Sequence, residues 1–378
     1  MKLSCLQENL NRGLIYVGRA AATRTTLPIT NNVLLATDEG RLKLVATNLE
    51  MAITYWLGAK VEDEGAITVP AKLLNEFVAS LPSDKINMSL SARTRTLQLK
   101  CARFEARISG IDAKDFPPIP SVEDGVVTSV EAEALRKGIE KVVFAAATDE
   151  SRPVLTGINA EFDGDTLTLA AADGFRLAVY NMPLATRVDK KTTAIIPSKT
   201  LAELNRMVAE QEDPVEIRLN TAKGQILFKL KDIELVSQLV QGAFPQYSQL
   251  IPQSYSTRAV IDIAQFLRAT KTASIFARDG SNIIRLVITP GVKEAPGKLT
   301  VAARSEEIGD DVGEVDALVQ GDEAKIAFNS KYLADILNVL RESQVALEVT
   351  SPSNPGVFRP VGVDNYIHVV MPMFVQWD

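Results

Sequence analysis

LKLVATN at residues 42–48, LTLAAAD at 167–173 and LTVAARS at 299–305 are three versions of one short pattern. In each, apolar and polar residues alternate and run into alanine, the period of a half-buried strand. Further along, each copy is followed by a second shared feature. Val69-Pro70-Ala71-Lys72 leads into LLNEFVASL, Ile196-Pro197-Ser198-Lys199 into TLAELNRMV, and Phe328-Asn329-Ser330-Lys331 into YLADILNVL. Proline or a capping-type residue in the first turn, followed by apolar residues at helical spacing, predicts a helix in all three. The first and second copies lie 125 to 127 residues apart (42 to 167, 69 to 196), and the third follows after 132 (167 to 299, 196 to 328). That period is too long for a solenoid and fits three copies of one domain.

The stretches between copies agree. DAKDFPPIPSVEDG (112–125) and FPQYSQLIPQSYS (244–256) are proline-rich and each carries a Phe-Pro pair. Proline removes a ladder donor and biases its predecessor away from helix, so both read as linkers. The expected domains are residues 1–120, 121–250 and 251–378. Each unit runs strand, long helix, several strands, second helix, more strands, with first helices at roughly 6–22, 130–147 and 261–277. Strand signals include 152–162, 178–182, 226–231 and 233–240. The order gives an α+β chain with antiparallel sheets, not an alternating βαβ pattern.

At 378 residues, with 46% apolar and 23% charged, the chain has ample material for a sizeable core. Its net charge of −6 repels nucleic acid overall, so any DNA role needs the cations gathered on one surface. Cys5 and Cys101 have neither pairing nor metal spacing, which points to a reducing interior. The first residues, MKLSCLQENLNRG, hold one Lys and no continuous apolar run, and no run of about 18 apolar residues occurs, so neither a secretory signal nor a membrane span is expected. A cytoplasmic protein is the expectation. The sole histidine, His368, lies in a strand pattern, YIHVVM, and Asp310-Asp311 lie in a polar loop. With no phosphate-cradling glycine loop, nucleophile elbow or Cys/His cluster, neither catalysis nor a metal or cofactor is expected.

The helices separate into faces at 100° per residue. Leu6, Leu10, Leu14, Val17 and Ala21 form the first apolar stripe, with Arg12 and Arg19 opposite. Leu73, Phe77 and Leu81 are expected buried in the second, with Lys72 pointing away. Leu135, Ile139, Val142, Val143 and Ala146 line the third, leaving Lys137 and Lys141 outward. Leu201, Leu204 and Val208 oppose Lys199 and Arg206 in the fourth. Ile263, Phe266, Leu267 and Thr270 are the inner side of the fifth, with Arg268 outward and Lys271 on the flank. Leu333, Ile336, Leu337 and Leu340 pack in the sixth, and Lys331 faces out. Each helix thus turns at least one cation away from its core. Gathered together, such cations give duplex DNA a sequence-independent, salt-sensitive attraction; equally, Lys and Arg are what solvated helix faces ordinarily carry, and Glu8, Glu76, Glu140 and Glu203 are outward too.

Leu27-Pro28-Ile29, Asn48-Leu49-Glu50-Met51, Val69-Pro70-Ala71-Lys72, Asp115-Phe116-Pro117, Asp173-Gly174-Phe175-Arg176-Leu177-Ala178-Val179, Phe244-Pro245-Gln246-Tyr247 and Val369-Val370-Met371-Pro372-Met373 follow one another along the full chain. Together they resemble the β subunit of bacterial DNA polymerase III, the sliding clamp. The resemblance implies three repeated clamp domains and a head-to-tail homodimer closed into a ring, with antiparallel sheets outside and helices lining the hole. It implies duplex DNA as a partner, and recruitment of polymerase, clamp loader and repair proteins through short linear peptides. The positions matching the peptide pocket are Leu155, Ala172, Gly174, Phe175, Arg176, Leu177, Pro245, Leu250, Val369, Met371, Pro372 and Met373. Arg24, Arg152 and Lys199 match positions facing the duplex, and Ala106, Ile108, Ile275 and Phe276 match the two sides of the ring interface. The chain departs from the family pattern at Phe175, and at Phe374 with the extension Val375-Gln376-Trp377-Asp378; both bear on which peptides it prefers.

Overall fold

The computed structural model describes residues 1–378 apart from 23–25, 279–281, 293–294, 306, 308 and 378. Among the described residues are six α-helices: α1 (Gln7–Val17), α2 (Ala71–Ala79), α3 (Ala132–Val142), α4 (Ser198–Val208), α5 (Ile263–Ala277) and α6 (Ser330–Val339). The chain divides into two compact units, one of Met1–Leu135, Leu184–Val188 and Lys199–Leu239, the other of Arg136–Pro183, Asp189–Ser198 and Val240–Asp378.

The first unit holds two sheets. One has five strands in the order Lys60–Asp63, Lys2–Leu6, Lys85–Ser91, Thr96–Cys101, Phe104–Ser109. The other has eight, in the order Val126–Val130, Val215–Asn220, Gln225–Lys229, Ile233–Gln238, Met51–Gly58, Arg41–Thr47, Asn32–Asp38, Ala66–Pro70. Pairing is antiparallel, for example Leu35 with Leu44 and Leu235 with Ile53. The eight-stranded sheet stays continuous because Ile233–Gln238 pairs with Met51–Gly58, strands far apart in sequence. Helix α1 lies on this sheet with Leu10, Leu14 and Val17 fully buried. Gly13 permits the approach: a Cβ there would stand 2.7 Å from the Tyr55 ring and 2.8 Å from Leu44.

The second unit is built on one ten-stranded sheet. Its order is Gly157–Ala172, Arg176–Pro197, Tyr366–Val370, Gly356–Pro360, Gln344–Val349, Thr257–Asp262, Gly309–Gly321, Gly297–Ser305, Ile283–Thr289, Ala324–Asn329. Helix α5 packs on the strands Gly297–Ser305 and Gly309–Gly321 and against α6. Both helices are capped by side chains: Asp262 accepts from Gln265 N and Asn329 from Lys331 N, each at 2.9 Å, satisfying N–H groups that the first turn leaves unpaired. Phe162, Phe266, Phe328, Phe358 and Tyr366 are among the large side chains buried here.

Several local expectations are corrected. The first helix is shorter at both ends than 6–22, and Leu6 is exposed because it ends a strand. The third stops at Val142 and tightens into a 3-10 turn, Val143–Ala145. In α2 the buried residues are Ala71, Leu74 and Val78, while Leu73 is exposed. Residues 152–156 form no strand; Pro153 opens a 3-10 turn, Pro153–Thr156, and the strand starts at Gly157. Residues 112–125 and 244–256 lie outside the ladders, holding only the short 3-10 turns Ala113–Asp115 and Tyr247–Leu250.

Candidate functional site

The motif Asp173-Gly174-Phe175-Arg176 joins the strands Gly157–Ala172 and Arg176–Pro197. Asp173 Oδ1 accepts from Phe175 N (2.9 Å) and Arg176 N (3.0 Å), an Asx-type turn. Gly174 sits at φ +92°, a conformation that side chains with a Cβ resist. The Arg152 side chain crosses the turn, donating from Nη2 to Asp173 O at 3.0 Å. Arg152, expected to face the duplex, therefore stands at this turn.

Arg176 is buried and fully engaged. Nε donates to Asp173 Oδ2 at 2.9 Å, Nη1 to Asp335 Oδ2 at 2.7 Å and Nη2 to Phe144 O at 2.6 Å. Its guanidinium also lies 4.5 Å from the Tyr332 ring centre and 5.4 Å from that of Phe144. The stack continues on both sides. Phe144 stacks on His368 (5.5 Å, 24°), and Tyr332 stacks on Phe175 (6.3 Å, 23°). A column of five groups thus runs from fully buried His368 to Phe175, which is 54% exposed. Burial, reinforced by the Arg176 charge, pushes the His368 pKa down to about 3, so the ring is neutral. Sequence reasoning missed Phe144, Tyr332 and Asp335, since nothing local marks them.

Beside the turn, Leu177 pairs across the sheet with Val369, and both join Ala172, Val179 and Val357 in a buried apolar cluster. Phe244, Tyr247 and Ile251 of the second linker pack against it, placing Pro245 and Leu250 alongside. Met371 N donates to Phe175 O at 2.8 Å, tying the chain's last residues to the turn, and Met373 N donates to Ala327 O at 2.8 Å. Pro372 is buried, whereas Leu250 (54%), Met371 (42%) and Phe374 (87%) expose large apolar surface. Leu155 is buried and connects through Arg152, whose carbonyl oxygen accepts from Leu155 N at 3.0 Å. The predicted cleft residues therefore divide into a buried apolar floor, a rigid polar turn and an exposed apolar rim.

Of the predicted cationic residues, Lys72, Lys137, Lys199, Arg206, Arg268 and Lys331 are exposed on their helices. Lys141 is not. It is buried, donates to both Glu342 carboxylate oxygens (2.7 and 3.0 Å) and lies 5.2 Å from the Tyr366 ring centre. The flank of α3 that carries it is covered by strand and loop residues, which overturns its placement on an outward face. Arg24 lies outside the described residues. Ala106 and Ile108 lie on Phe104–Ser109, the last strand of the five-stranded sheet; Ile108 is buried, Ala106 half-buried and neighbouring Phe104 exposed. On α5, Ile275 is exposed and Phe276 half-buried. Cys5 and Cys101 are free and buried, and burial pushes the Cys5 thiol up to about 12. Among the described residues no cluster of His, Cys, Asp or Glu could hold a metal ion, and no helix is long and apolar enough to cross a membrane.

Three family models match in succession: the DNA polymerase III beta subunit's N-terminal domain over residues 1–120, its central domain over 129–246 and its C-terminal domain over 248–374. A beta sliding clamp from Synechococcus elongatus is 34% identical over 377 residues, covering 99% of each chain. The crystal structure of the DNA polymerase sliding clamp from Bacillus subtilis superimposes with a TM-score of 0.93 at 26% identity, over 100% of both chains. That of a Pseudomonas aeruginosa sliding clamp bound to griselimycin gives 0.92 at 29%, over 99% of this chain and 100% of the other. Three successive antiparallel-sheet domains with a few helices, matched end to end, define a processivity factor rather than a catalyst. The chain belongs to the bacterial DNA polymerase III beta-subunit family, the DNA sliding clamps.

Proposed function

We propose that two copies of this chain close head to tail into a ring around duplex DNA and hold a replicative polymerase on it. Each copy contributes three modules, residues 1–120, 121–250 and 251–378, with helices toward the duplex and sheets outward. The edge strand carrying Ala106 and Ile108 meets the α5 surface at Ile275 and Phe276 of the other copy. The observation that carries the DNA reading is that Lys72, Lys137, Lys199, Arg206, Arg268 and Lys331 stay exposed on helices of a chain whose net charge is −6. Dispersed cations of this kind attract the phosphate backbone without reading sequence. Enclosure then supplies retention, and weak contacts leave the ring free to slide. Arg24 and Arg152 are further contacts to the duplex in this reading.

The apolar floor Leu155, Ala172, Leu177, Val369 and Pro372, the turn Gly174-Phe175-Arg176 and the rim Pro245, Leu250, Met371 and Met373 form the docking cleft. Short linear peptides of the polymerase, the clamp loader and repair proteins insert apolar side chains there. The chain works in the cytoplasm with no cofactor. The deciding experiment loads the protein onto nicked circular DNA and then linearises it. A ring stays on the circle and runs off the linear form; equal loss from both overturns enclosure. Native mass at nanomolar concentration provides the companion measurement, since a stable monomer is incompatible with a closed ring.

A further inference from the structure

The internal repeat extends from the strands to the turns between them. Asn48 Oδ1 accepts from Glu50 N (3.0 Å) and Met51 N (2.8 Å), as Asp173 Oδ1 does from Phe175 N and Arg176 N. Gln238 N donates to Glu50 O and Met371 N to Phe175 O, both at 2.8 Å. Leu49 stands where the other turn has Gly174 and holds the same left-handed backbone, φ +76° against +92°. The strands behind the turns correspond too. Ala52 pairs with Val236 and Val236 with Leu227, as Leu177 pairs with Val369 and Val369 with Val357. The first linker packs Phe116 and Ile119 over the strands of this sheet, where the second packs Phe244 and Tyr247 over the other. The first unit thus holds its own version of the docking cleft, an open groove of about 510 Å³ between the linker and the eight-stranded sheet.

The wall of this groove is not a copy. Where the docking cleft pairs Val179 with Ile367, the groove pairs Thr54 with Glu234. Its cations are already engaged: Lys43 faces Asp38 at 3.6 Å and Arg218 faces Glu216 at 2.6 Å. The Trp56 ring is taken as well, with Lys43 5.2 Å and Arg41 5.7 Å from its centre. Glu234 is different. It is half-buried and, among the described residues, has no hydrogen-bond or ion-pair partner, its cross-strand neighbour Lys229 included. Exposed Glu123 of the linker lines the same groove. The charge left uncompensated there is negative, and partial burial of Glu234 weakens its screening by salt.

We propose that this groove is a second docking site, for an extended peptide segment that sets an aliphatic side chain on the floor of Val45, Leu227 and Val236 and a Lys or Arg side chain against Glu234. The choice of a peptide rests on the docking reading of the cleft at Asp173, whose framework is repeated here; the demand for a cation rests on the groove's own residues. The apolar floor supplies affinity, and the carboxylate supplies selection between peptides.

The test uses Trp56 as the reporter. The chain has two tryptophans, so in Trp377→Phe protein the emission comes from the groove. A randomised decapeptide phage library is selected on the full-length Trp377→Phe protein with its docking cleft blocked by Met371→Glu. The pool is expected to enrich an aliphatic residue close to a Lys or Arg, and the leading synthetic peptide should shift Trp56 emission. Glu234→Gln should weaken that peptide about three- to tenfold, and Glu123→Lys should weaken it as well. Replacing the peptide's cation by Gln should abolish the difference between Glu234 and Glu234→Gln proteins. An empty selection, a pool without basic residues, or an affinity unchanged in both glutamate variants overturns the proposal. A parallel selection with Met371 intact keeps the two readings apart. If none of its peptides is lost on Met371→Glu, the docking reading of the Asp173 cleft fails, whereas a Glu234-dependent pool still supports the groove.

Discussion

Replacing Arg176 by alanine removes the group on which the cleft turn is built. The guanidinium is 7% exposed, Asp173 14% and Asp335 29% by side chain. Breaking a buried ion pair by deleting one partner costs about 3–5 kcal/mol, because the surviving charge is left uncompensated. Water already reaches Asp335, which places the expected loss at the lower end, about 3 kcal/mol for the second unit. That figure corresponds to about a hundredfold faster exchange of the amides of Leu177 and Val369, the pair next to the one that Arg176 itself makes with Val370, at about 1.4 kcal/mol per decade. Hydrogen exchange by mass spectrometry reads this locally and avoids assuming one transition for a chain of two compact units. Arg176→Lys keeps the charge but lacks the planar fork for three acceptors, so it should fall between. The double variant Arg176→Ala with Asp335→Asn should recover about 1 kcal/mol, since the orphaned carboxylate is neutralised. A change below about 0.5 kcal/mol in Arg176→Ala, or further loss in the double variant, would refute the account of the turn.

Three further outcomes follow from individual groups. His368 has a folded pKa of about 3 against 6.5 when unfolded, so the unfolded chain binds the extra proton. Its contribution is complete above pH 6.5 and declines by about 1.4 kcal/mol per pH unit toward pH 3; His368→Gln should flatten that part of the urea-midpoint profile, and an unchanged slope contradicts it. Gly174→Ala forces a Cβ into positive φ and displaces the Arg152 guanidinium, 2.6 Å from the ideal Cβ position, so about 1–2 kcal/mol of stability and much of the peptide affinity should be lost by calorimetric titration. Deleting the residues after Met373 removes the exposed Phe374 that follows the rim residue Met373, together with the tail beyond it; peptide affinity should change while native mass stays the same, and an unaltered dissociation constant counts against any role for the tail.

How far the sequence could be read depended on whether the information was local. The repeats were legible because each pairs an alternating strand with a helix whose first turn carries proline or a capping-type residue, and the cap of α6 at Asn329 is written in a neighbouring residue. The Asp173-Gly174 turn was legible for the same reason. Adjacent leucines in α2 were not: periodicity alone cannot decide whether Leu73 or Leu74 faces inward, and the neighbouring strands chose Leu74. Lys141 failed more completely. Its ion-pair partner Glu342 lies 201 positions away, and Tyr366 closes over it from another strand, so no pattern within α3 could mark its burial. The same applies to Arg176 and Asp335, 159 positions apart. The family motif supplied the residues at the cleft, but not the column that fixes them.

Two of the sites proposed for this chain call for opposite treatment of arginine and lysine. A cleft that must discriminate between peptides needs its groups fixed before binding, and Arg176 meets that need by spending its donors on three acceptors and both ring faces. A surface past which DNA must slide needs the reverse. Lys72, with its side chain 89% exposed and its nearest recorded carboxylate, Glu76, 3.9 Å away, can exchange a phosphate for water at almost no cost. Had the helix cations been locked like Arg176, each would hold a preferred phosphate and resist movement. Lys141, buried against Glu342, belongs with Arg176 on this criterion, and neutralising it should affect stability rather than mobility on DNA. Single-molecule tracking separates the classes: Lys72→Gln and Lys331→Gln should leave residence on circular DNA intact and raise the diffusion coefficient. Lys141→Met, by contrast, should leave the diffusion coefficient of the folded protein unchanged.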